Sequence, residues 1–218
     1  MEAALKEQKR IADEAVRKAE EKERVRIAAD LHDNLGAYAA SMASNLNYLR
    51  IDEQNEGVKN AFRELKNNSG SMIAELNDTI WVLKKENLSL TAISDRIKIF
   101  ISRLRKSYPE VSIEVKEKIT DDFLFTASQA FHLYRIVQEA VNNALKHSKG
   151  NSIEIGILSG SSWQFVITDN GTGMIREVTK ESNGLGNMRA RCRENDWHIQ
   201  WIAAAPHGTQ VEISPTSN

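Results

Sequence analysis

A histidine and an aspartate, His32 and Asp33, lie side by side within a run of residues that favours helix. A nucleophilic histidine must present a neutral nitrogen lone pair, and a neighbouring carboxylate can hold the other ring N–H and fix the tautomer. A solvated polar step on a helix surface is the simpler interpretation of an isolated His-Asp dipeptide. The rest of the chain decides between these two interpretations.

The stretch FHLYRIVQEAVNNALKHSKG carries a carboxylate and a carboxamide four residues apart, Glu139 and Asn143. Helical periodicity places both on one face, and such hard oxygen ligands suit Mg²⁺ and its waters. Lys146 and His147, at the end of the same stretch, could reach phosphate oxygens or act as C-terminal capping charges. Exposed polar residues on an amphipathic helix are the alternative explanation for the pair.

In the segment ITDNGTGM, Asp169 closes an apolar run and is followed by Gly171 and Gly173. An acid at the end of a strand can accept a hydrogen bond from an exocyclic amine such as that of adenine. The glycines allow the backbone to turn and to approach a ligand closely. Ordinary turns use the same residues, so this motif alone leaves both interpretations open.

A second glycine motif, SNGLGNMRARCREN, places Gly184 and Gly186 before a predicted helix that opens near Gly186. Backbone N–H groups at a glycine-rich helix start form an anion site suited to phosphates. The alternative to an anion site is an ordinary helix N-terminus preceded by a flexible segment. The closing segment PHGTQVEIS places Gly208 and Thr209 at the start of a predicted strand.

Residues 1 to about 50 contain no proline and one glycine, and they predict one long helix. Its first part is dense in Ala, Glu, Lys and Arg, which are strong helix formers. Because this part has few large apolar residues, it favours a coiled-coil lead-in or an exposed stalk over a core helix.

Apolar residues then recur at steps of three and four in two stretches, separated by the polar connection RIDEQNEGVKN. They are Ile27, Leu31, Leu35, Tyr38, Met42, Leu46 and Leu49, followed by Val58, Phe62, Leu65, Met72, Leu76, Ile80 and Leu83. Two such helices predict an antiparallel hairpin. Pairing with a second copy into a four-helix bundle would cover both stripes, so the pattern predicts a homodimer.

The second half mixes helix and strand patterns. Helices are predicted at about 91–106 and 127–146, and the remaining segments predict strands: VSIEVK, NSIEIGIL, WQFVIT, WHIQWI and TQVEIS. Because the order lacks βαβ regularity, we expect an α+β sandwich with helices on one face of a mixed sheet.

The composition narrows the class of protein. A chain of 218 residues that is 41% hydrophobic can bury a core in one or two domains, and a net charge of -1 does not suggest nucleic-acid binding. The single cysteine, Cys192, excludes an internal disulfide and suggests helix packing in a reducing cytosol. No stretch approaches the roughly 20 apolar residues of a membrane span. We expect a cytoplasmic chain, which could be the cytoplasmic part of a receptor anchored through an N-terminal sensor region.

Together, the motifs of the second half resemble the catalytic domain of sensor histidine kinases, in the superfamily shared with gyrase, Hsp90 and MutL. QEAVNNALKH is similar to the N box, DNGTGM to the first glycine box and NGLGNMR to the second, in the family's order. Upstream, ERVRIAADLHDNLG resembles the dimerisation and phosphoacceptor helix of the NarL/DesK-like subfamily. The resemblance covers roughly residues 20 to 215.

This resemblance implies a signalling helix at 1–24, a dimerisation and phosphotransfer domain at 25–86, and a catalytic ATP-binding domain at 87–215. It implies that His32, on the flank of the bundle about 100° from the packed stripe, is phosphorylated, with Asp33 as its orienting general base. Glu139 and Asn143 would hold Mg²⁺. The implied ATP site comprises Glu139, Asn143, Lys146, His147, Asp169, Gly171, Gly173, Gly184, Leu185, Gly186 and Thr209. The phosphoryl group would pass to an aspartate in the receiver domain of a response regulator.

One position departs from the subfamily's pattern. Four residues after Asp33, where a glutamine usually orients water for dephosphorylation of the partner, this chain has Ala37. The substitution predicts weak or absent phosphatase activity. Two other functions remain as alternatives: an ATPase whose nucleotide opens and closes a dimer, which leaves the HDNLG helix unexplained, and a non-enzymatic dimeric scaffold with a degenerate nucleotide domain.

Overall fold

Among the described residues of the first half, the two long helices are α1 (Glu2–Asp30) and α2 (Glu56–Leu83). The structure, a computed structural model, describes residues 2–30, 41–42, 46, 56–83, 85–173 and 183–216. It divides into two compact units, Met1–Glu86 and Asn87–Asn218. Several predicted apolar positions, among them Leu31, Leu35, Tyr38 and Leu49, lie outside the described residues.

Charge pairs along its own surface stabilise α1. Arg10 bridges Glu7 at 2.8 Å and Glu14 at 3.2 Å between guanidinium nitrogens and carboxylate oxygens, and Lys18 Nζ lies 2.9 Å from Glu14 Oε1. Pairs three and four residues apart support a helix by a few tenths of a kcal/mol each without any tertiary packing. The described part of α1 carries this charged surface, and its role as a coiled-coil lead-in or an exposed stalk stays a prediction.

The apolar stripe of α2 is buried at one end and exposed over much of its length. Ile80 is buried, whereas Val58, Leu65 and Met72 are 47%, 50% and 61% exposed in the single chain. The helix begins at Glu56, so the end of the segment predicted as a connection, including Gly57, is already helical.

The second unit contains three helices and seven strands among its described residues. In chain order they are β1 (Asn87–Ser89), α3 (Leu90–Ser107), β2 (Ser112–Ile119), β3 (Leu124–Thr126), α4 (Ala127–His147), β4 (Ser152–Ser159), β5 (Trp163–Asp169), α5 (Asn183–Glu194), β6 (Trp197–Ala203) and β7 (Thr209–Pro215). The main sheet has the order β2-β4-β5-β7-β6, with β2 parallel to β4 and the other pairs antiparallel. This confirms the predicted mixed sheet.

Local sequence sets where the two longer helices of this unit begin. Ser89 Oγ accepts a hydrogen bond from Ala92 N at 3.2 Å and so caps α3. At α4, Thr126 Oγ1 accepts from Gln129 N at 3.2 Å while Gln129 Oε1 accepts from Thr126 N at 2.9 Å. This reciprocal capping box satisfies N–H groups that the helix itself leaves unpaired.

The core lies between the helices and one face of the sheet. Strand β5 alternates: Trp163, Phe165 and Ile167 are buried, whereas Gln164 and Val166 between them are partly exposed. Buried side chains from α3 and α4 cover that face, including Ile93, Ile97, Leu133, Val137 and Val141. The alternation is the sign of a sheet with one covered face, and it confirms the predicted α/β sandwich.

This unit differs from the sequence prediction in two short strands and in the start of α5. The short strands β1 and β3, which pair antiparallel with Leu88 opposite Phe125, were not predicted, because three residues are too few to show a periodicity. Helix α5 begins at Asn183 rather than near Gly186, so Gly184 and Gly186 lie inside its first turn instead of preceding it. The low helix propensity of glycine is the reason that the sequence predicts the start of this helix after Gly184.

Cys192 lies on α5 and is buried, as predicted for a packing residue. Burial raises the pKa of its thiol to about 12. Among the residues that the structure describes, no helix has the length and apolar character needed to cross a membrane.

Candidate functional site

Helix α4 presents its polar pair on the flank of a buried stripe. Val137, Ala140 and Ala144 face the core, while Glu139 and Asn143 are partly exposed one turn apart. Their shared flank follows from the four-residue spacing of the sequence.

The first turn of α5 lies directly against Glu139. A Cβ atom added to Gly184 would overlap Glu139 Oε1 and come within 3.1 Å of its Cδ. In this arrangement a side chain at position 184 would require the Glu139 side chain to move. The second glycine motif and the polar pair of α4 therefore meet at one place. The carboxylate also lies at the helix end where the backbone dipole favours negative charge.

Asp169 is the last residue of β5 and is 7% exposed. Its Oδ1 atom accepts hydrogen bonds from Gly171 N at 2.9 Å and from Thr209 N at 3.3 Å. These two N–H groups hold the carboxylate in one orientation. The structure therefore brings together Asp169, the first glycine motif and the start of β7.

Gly208, just before β7, makes this meeting possible. Its φ angle is +114°, and an added Cβ would overlap the carbonyl oxygen of Asp169. The position therefore requires glycine both for its backbone conformation and for space.

Lys146 and His147 lie in the last turn of α4, and both are exposed. Leu185 and Gly186 are partly exposed in the first turn of α5, and Gly173 ends the described part of the first glycine loop. His32, Asp33 and Ala37 lie outside the described residues.

The family models match both halves of the chain. A model described as "Histidine kinase" matches residues 23–88, and one described as "Histidine kinase-, DNA gyrase B-, and HSP90-like ATPase" matches residues 128–216. The chain belongs to the sensor histidine kinases of the NarL/DesK type.

Curated relatives support this family. The sensor proteins VraS of Staphylococcus saprophyticus and of Staphylococcus aureus are each 27% identical to this chain over 210 residues, which make up 95% of the chain. The chain spans 59% of the length of each of these relatives.

Solved structures show the same fold. The histidine kinase domain of a blue-light activated histidine kinase from Erythrobacter litoralis matches with a TM-score of 0.55 and 14% identity, over 82% of this chain and 95% of that one. The Acinetobacter baumannii histidine kinase AdeS matches with a TM-score of 0.51 and 14% identity, over 86% of this chain and 98% of that one. At such identities the likeness concerns the fold alone.

The sequence motifs do not indicate two residues, Ser148 and Asn170, that position the first glycine loop. Ser148 O accepts hydrogen bonds from Thr172 N at 2.8 Å and from Thr172 Oγ1 at 3.4 Å. Asn170 Oδ1 accepts from Asn151 N at 3.0 Å and from Ser152 N at 2.9 Å. These bonds tie the loop after β5 to the segment after α4. The available signal was the clustering of Ser, Asn and Gly, whose short polar side chains bond nearby backbone.

Proposed function

We propose that this chain is the core of a two-component histidine kinase, in which residues 87–215 bind Mg-ATP and His32 accepts the γ-phosphoryl group. The observation that carries the proposal is the joint arrangement of two clusters in one domain. One cluster fixes the Asp169 carboxylate beside glycines, and the other sets Glu139 against the first turn of α5.

The Asp169 cluster suits the adenine end of the nucleotide. Both of its backbone hydrogen bonds go to Oδ1, and no described residue donates a hydrogen bond to Oδ2. An oriented carboxylate oxygen in a mostly buried position can accept a hydrogen bond from an exocyclic amine. The bond from Gly171 N is the Asx turn of an ordinary acidic turn residue. The burial of Asp169 and its second bond, from Thr209 N 40 residues away in the sequence, distinguish it from such a residue.

The Glu139 cluster suits the phosphate end. Gly184 and Gly186 lie in the first turn of α5, where backbone N–H groups lack intrahelical partners and attract anions. Lys146 and His147 add donors at the exposed end of α4. A triphosphate placed between these groups would have its charge neutralised from two sides.

Glu139 and Asn143 fit a magnesium ion in their chemistry, since both offer oxygen atoms from one helix flank. The described residues contain no group of three or more His, Cys, Asp or Glu that could hold a metal. That fits Mg²⁺, which usually takes one or two protein ligands and completes its shell with water and phosphate oxygens. When bound, the ion would neutralise charge on the transferring phosphoryl group.

In the proposed transfer, a neutral ring nitrogen of His32 forms a bond to the γ-phosphorus as the bond to the bridging oxygen of ADP breaks. Asp33 holds the other ring N–H, so the lone pair points at the phosphorus and the developing imidazolium is stabilised. ADP leaves, and the phosphoryl group passes from His32 to an aspartate of a response regulator receiver domain. Positioning and charge neutralisation supply most of such catalysis.

A homodimer is part of this proposal. The exposed stripe of α2, with Val58, Leu65 and Met72, is an apolar surface that a second copy would cover in a four-helix bundle. We also assign the chain to the cytoplasm, where ATP and response regulators are found.

Incubation with γ-labelled ATP separates the proposed kinase from the two alternative functions. The kinase should acquire acid-labile label on the protein, because phosphohistidine hydrolyses in acid. Free phosphate without labelled protein would indicate an ATPase that gates a dimer. Neither product would indicate a non-enzymatic scaffold, and either of these two results would refute the proposal.

A further inference from the structure

Helix α5 contacts α4 near both of its ends. Close to its N-terminus, Gly184 lies against Glu139 of α4. Just beyond its C-terminus, Asn195 Nδ2 lies 2.8 Å from His132 Nδ1, also on α4. The helix that carries the second glycine motif is therefore attached to the helix that carries the polar pair at two separate points, of which the second includes a titratable ring.

The hydrogen bonds of Asn195 determine the protonation of His132. The same Nδ2 atom lies 2.7 Å from the carbonyl oxygen of Arg191, which can only accept a hydrogen bond. The amide nitrogen has two hydrogens, so it donates one to the carbonyl and one to the ring nitrogen. Nδ1 of His132 is thus an acceptor, and the ring is neutral with its proton on Nε2.

The groups around His132 favour that neutral form. The side chain is 18% exposed, and burial and the charge of Arg191 both lower its pKa below the ordinary histidine value. Glu194, whose Oε2 lies 3.6 Å from Nδ1, acts in the opposite direction. Arg135 of α4 and Arg191 of α5 both lie 5.8 Å from the ring centre of the adjacent Phe131, so positive charge flanks the site from both helices.

We propose that His132 is a positioning residue, whose neutral ring anchors the C-terminal end of α5 to α4 and is released by protonation. Loss of this contact would free one end of α5 and shift Gly184 and Gly186 relative to Glu139. The phosphate end of the nucleotide site would then bind less tightly. This inference rests on the proposed function, because it assumes that the first turn of α5 contacts the nucleotide.

The direction of the pH effect follows from the hydrogen bond. A protonated Nδ1–H would face the N–H of Asn195, so that bond breaks, and Glu194 becomes the nearest acceptor. Because the folded-state pKa of His132 is lowered, the anchor is intact at and above the ordinary histidine value of about 6.5, and it is lost as the pH falls through the folded-state pKa, which lies below that value. Nucleotide affinity should therefore fall on acidification.

The test is calorimetric binding of AMPPNP with Mg²⁺ to the full chain at about pH 7.5 and about pH 5.5. His132→Gln supplies a carbonyl oxygen that accepts from Asn195 and does not titrate. From the higher to the lower pH, the parent should lose about fivefold more affinity than His132→Gln, which corresponds to the loss of one hydrogen bond. His198→Gln, an exposed histidine on β6, is the matched control and should behave as the parent.

Equal pH dependence in the parent and in His132→Gln would overturn the inference while leaving the proposed function in place. Failure of the parent to bind AMPPNP at the higher pH would instead refute the proposed function. Asn195→Asp gives a second test if His132→Gln does not fold. Its carboxylate can accept from Nδ1–H of the neutral ring and pairs more strongly with the protonated ring. Acidification should therefore cost this variant less affinity than it costs the parent, and a profile equal to that of the parent would count against the anchor.

Discussion

The helices α1 and α2 and the second unit are stabilised in different ways. On α2, the described apolar residues Val58, Leu65 and Met72 are exposed. Helix α1 carries charge pairs along its surface. On α4, by contrast, Leu133 and Val137 are fully buried against the sheet. The second unit thus closes a core of its own, whereas the described helices of the first unit leave apolar surface exposed, which we propose a second copy covers. Nucleotide binding should therefore depend on the core of the second unit, and dimerisation on the apolar surface of α2.

The largest effect is expected from the core of the second unit. Phe165 is fully buried on β5, with its ring 6.0 Å from that of Trp163. Phe165→Ala should lower the free energy of unfolding by about 3–5 kcal/mol, because it removes a large side chain and leaves a cavity. Urea denaturation followed by tryptophan fluorescence measures this. Leu158→Ala, at an exposed position of β4, is the control and should change stability by no more than about 0.5 kcal/mol.

A second prediction concerns nucleotide binding without loss of fold. Asp169→Asn removes the charge of the carboxylate that we propose bonds adenine, so ATP affinity should fall about 10- to 100-fold, as expected for a hydrogen bond to a charged group. Equilibrium binding of ATP measures it, with the exposed Asp121→Asn as control. Unchanged affinity in Asp169→Asn would remove Asp169 from the adenine site, while light scattering should show the dimer intact.

On α2 we expect the opposite result, in which the dimer is lost and nucleotide binding is retained. Leu65→Lys would place a charge in the proposed bundle interface, where an unpaired charge is costly. We expect the full chain to become monomeric by light scattering, with its ATP affinity within about twofold of the parent. Lys66→Ala, at an exposed neighbouring position, should remain dimeric. A monomeric parent, or a dimeric Leu65→Lys, would contradict the bundle.

The smallest effect is expected at Ala37. An alanine cannot orient water, so the parent should dephosphorylate its response regulator weakly or not at all, and Ala37→Gln should raise the rate several-fold. The assay is decay of purified phosphorylated regulator with and without the kinase. Rapid dephosphorylation by the parent would mean that another group orients the water, and Asn34 and Tyr38 would be the next residues to test.

Much of the fold was predictable because its signals are local. The apolar stripe of α4 and the alternation of β5 repeat over enough residues to reveal a period, and the caps at Ser89 and Thr126 lie next to the helices they begin. The predicted start of α5 was wrong because glycine is a poor helix former, so the sequence places Gly184 before the helix. In the structure Gly184 lies inside the helix and next to Glu139, which is distant in sequence.

The residue types of the candidate site were predictable, but the hydrogen bonds that hold its loop and helices in place were not. Asp169, Gly171 and Thr209 lie together in the structure, and strand ends and glycines are recognisable in sequence. Their role in binding stays a prediction. The contacts of Ser148 and Asn170 join segments 18 to 24 residues apart. The bond between His132 and Asn195 spans 63 residues. No periodicity or short motif encodes such pairs.

The central claim is that the nucleotide domain phosphorylates His32. The most direct measurement is acid-labile labelling of His32→Gln with γ-labelled ATP, beside the parent and His207→Gln, a histidine exposed in the turn before β7. We predict that His32→Gln binds ATP as the parent does but acquires no label, whereas His207→Gln is labelled normally. Acid-labile label that persists in His32→Gln would contradict the account.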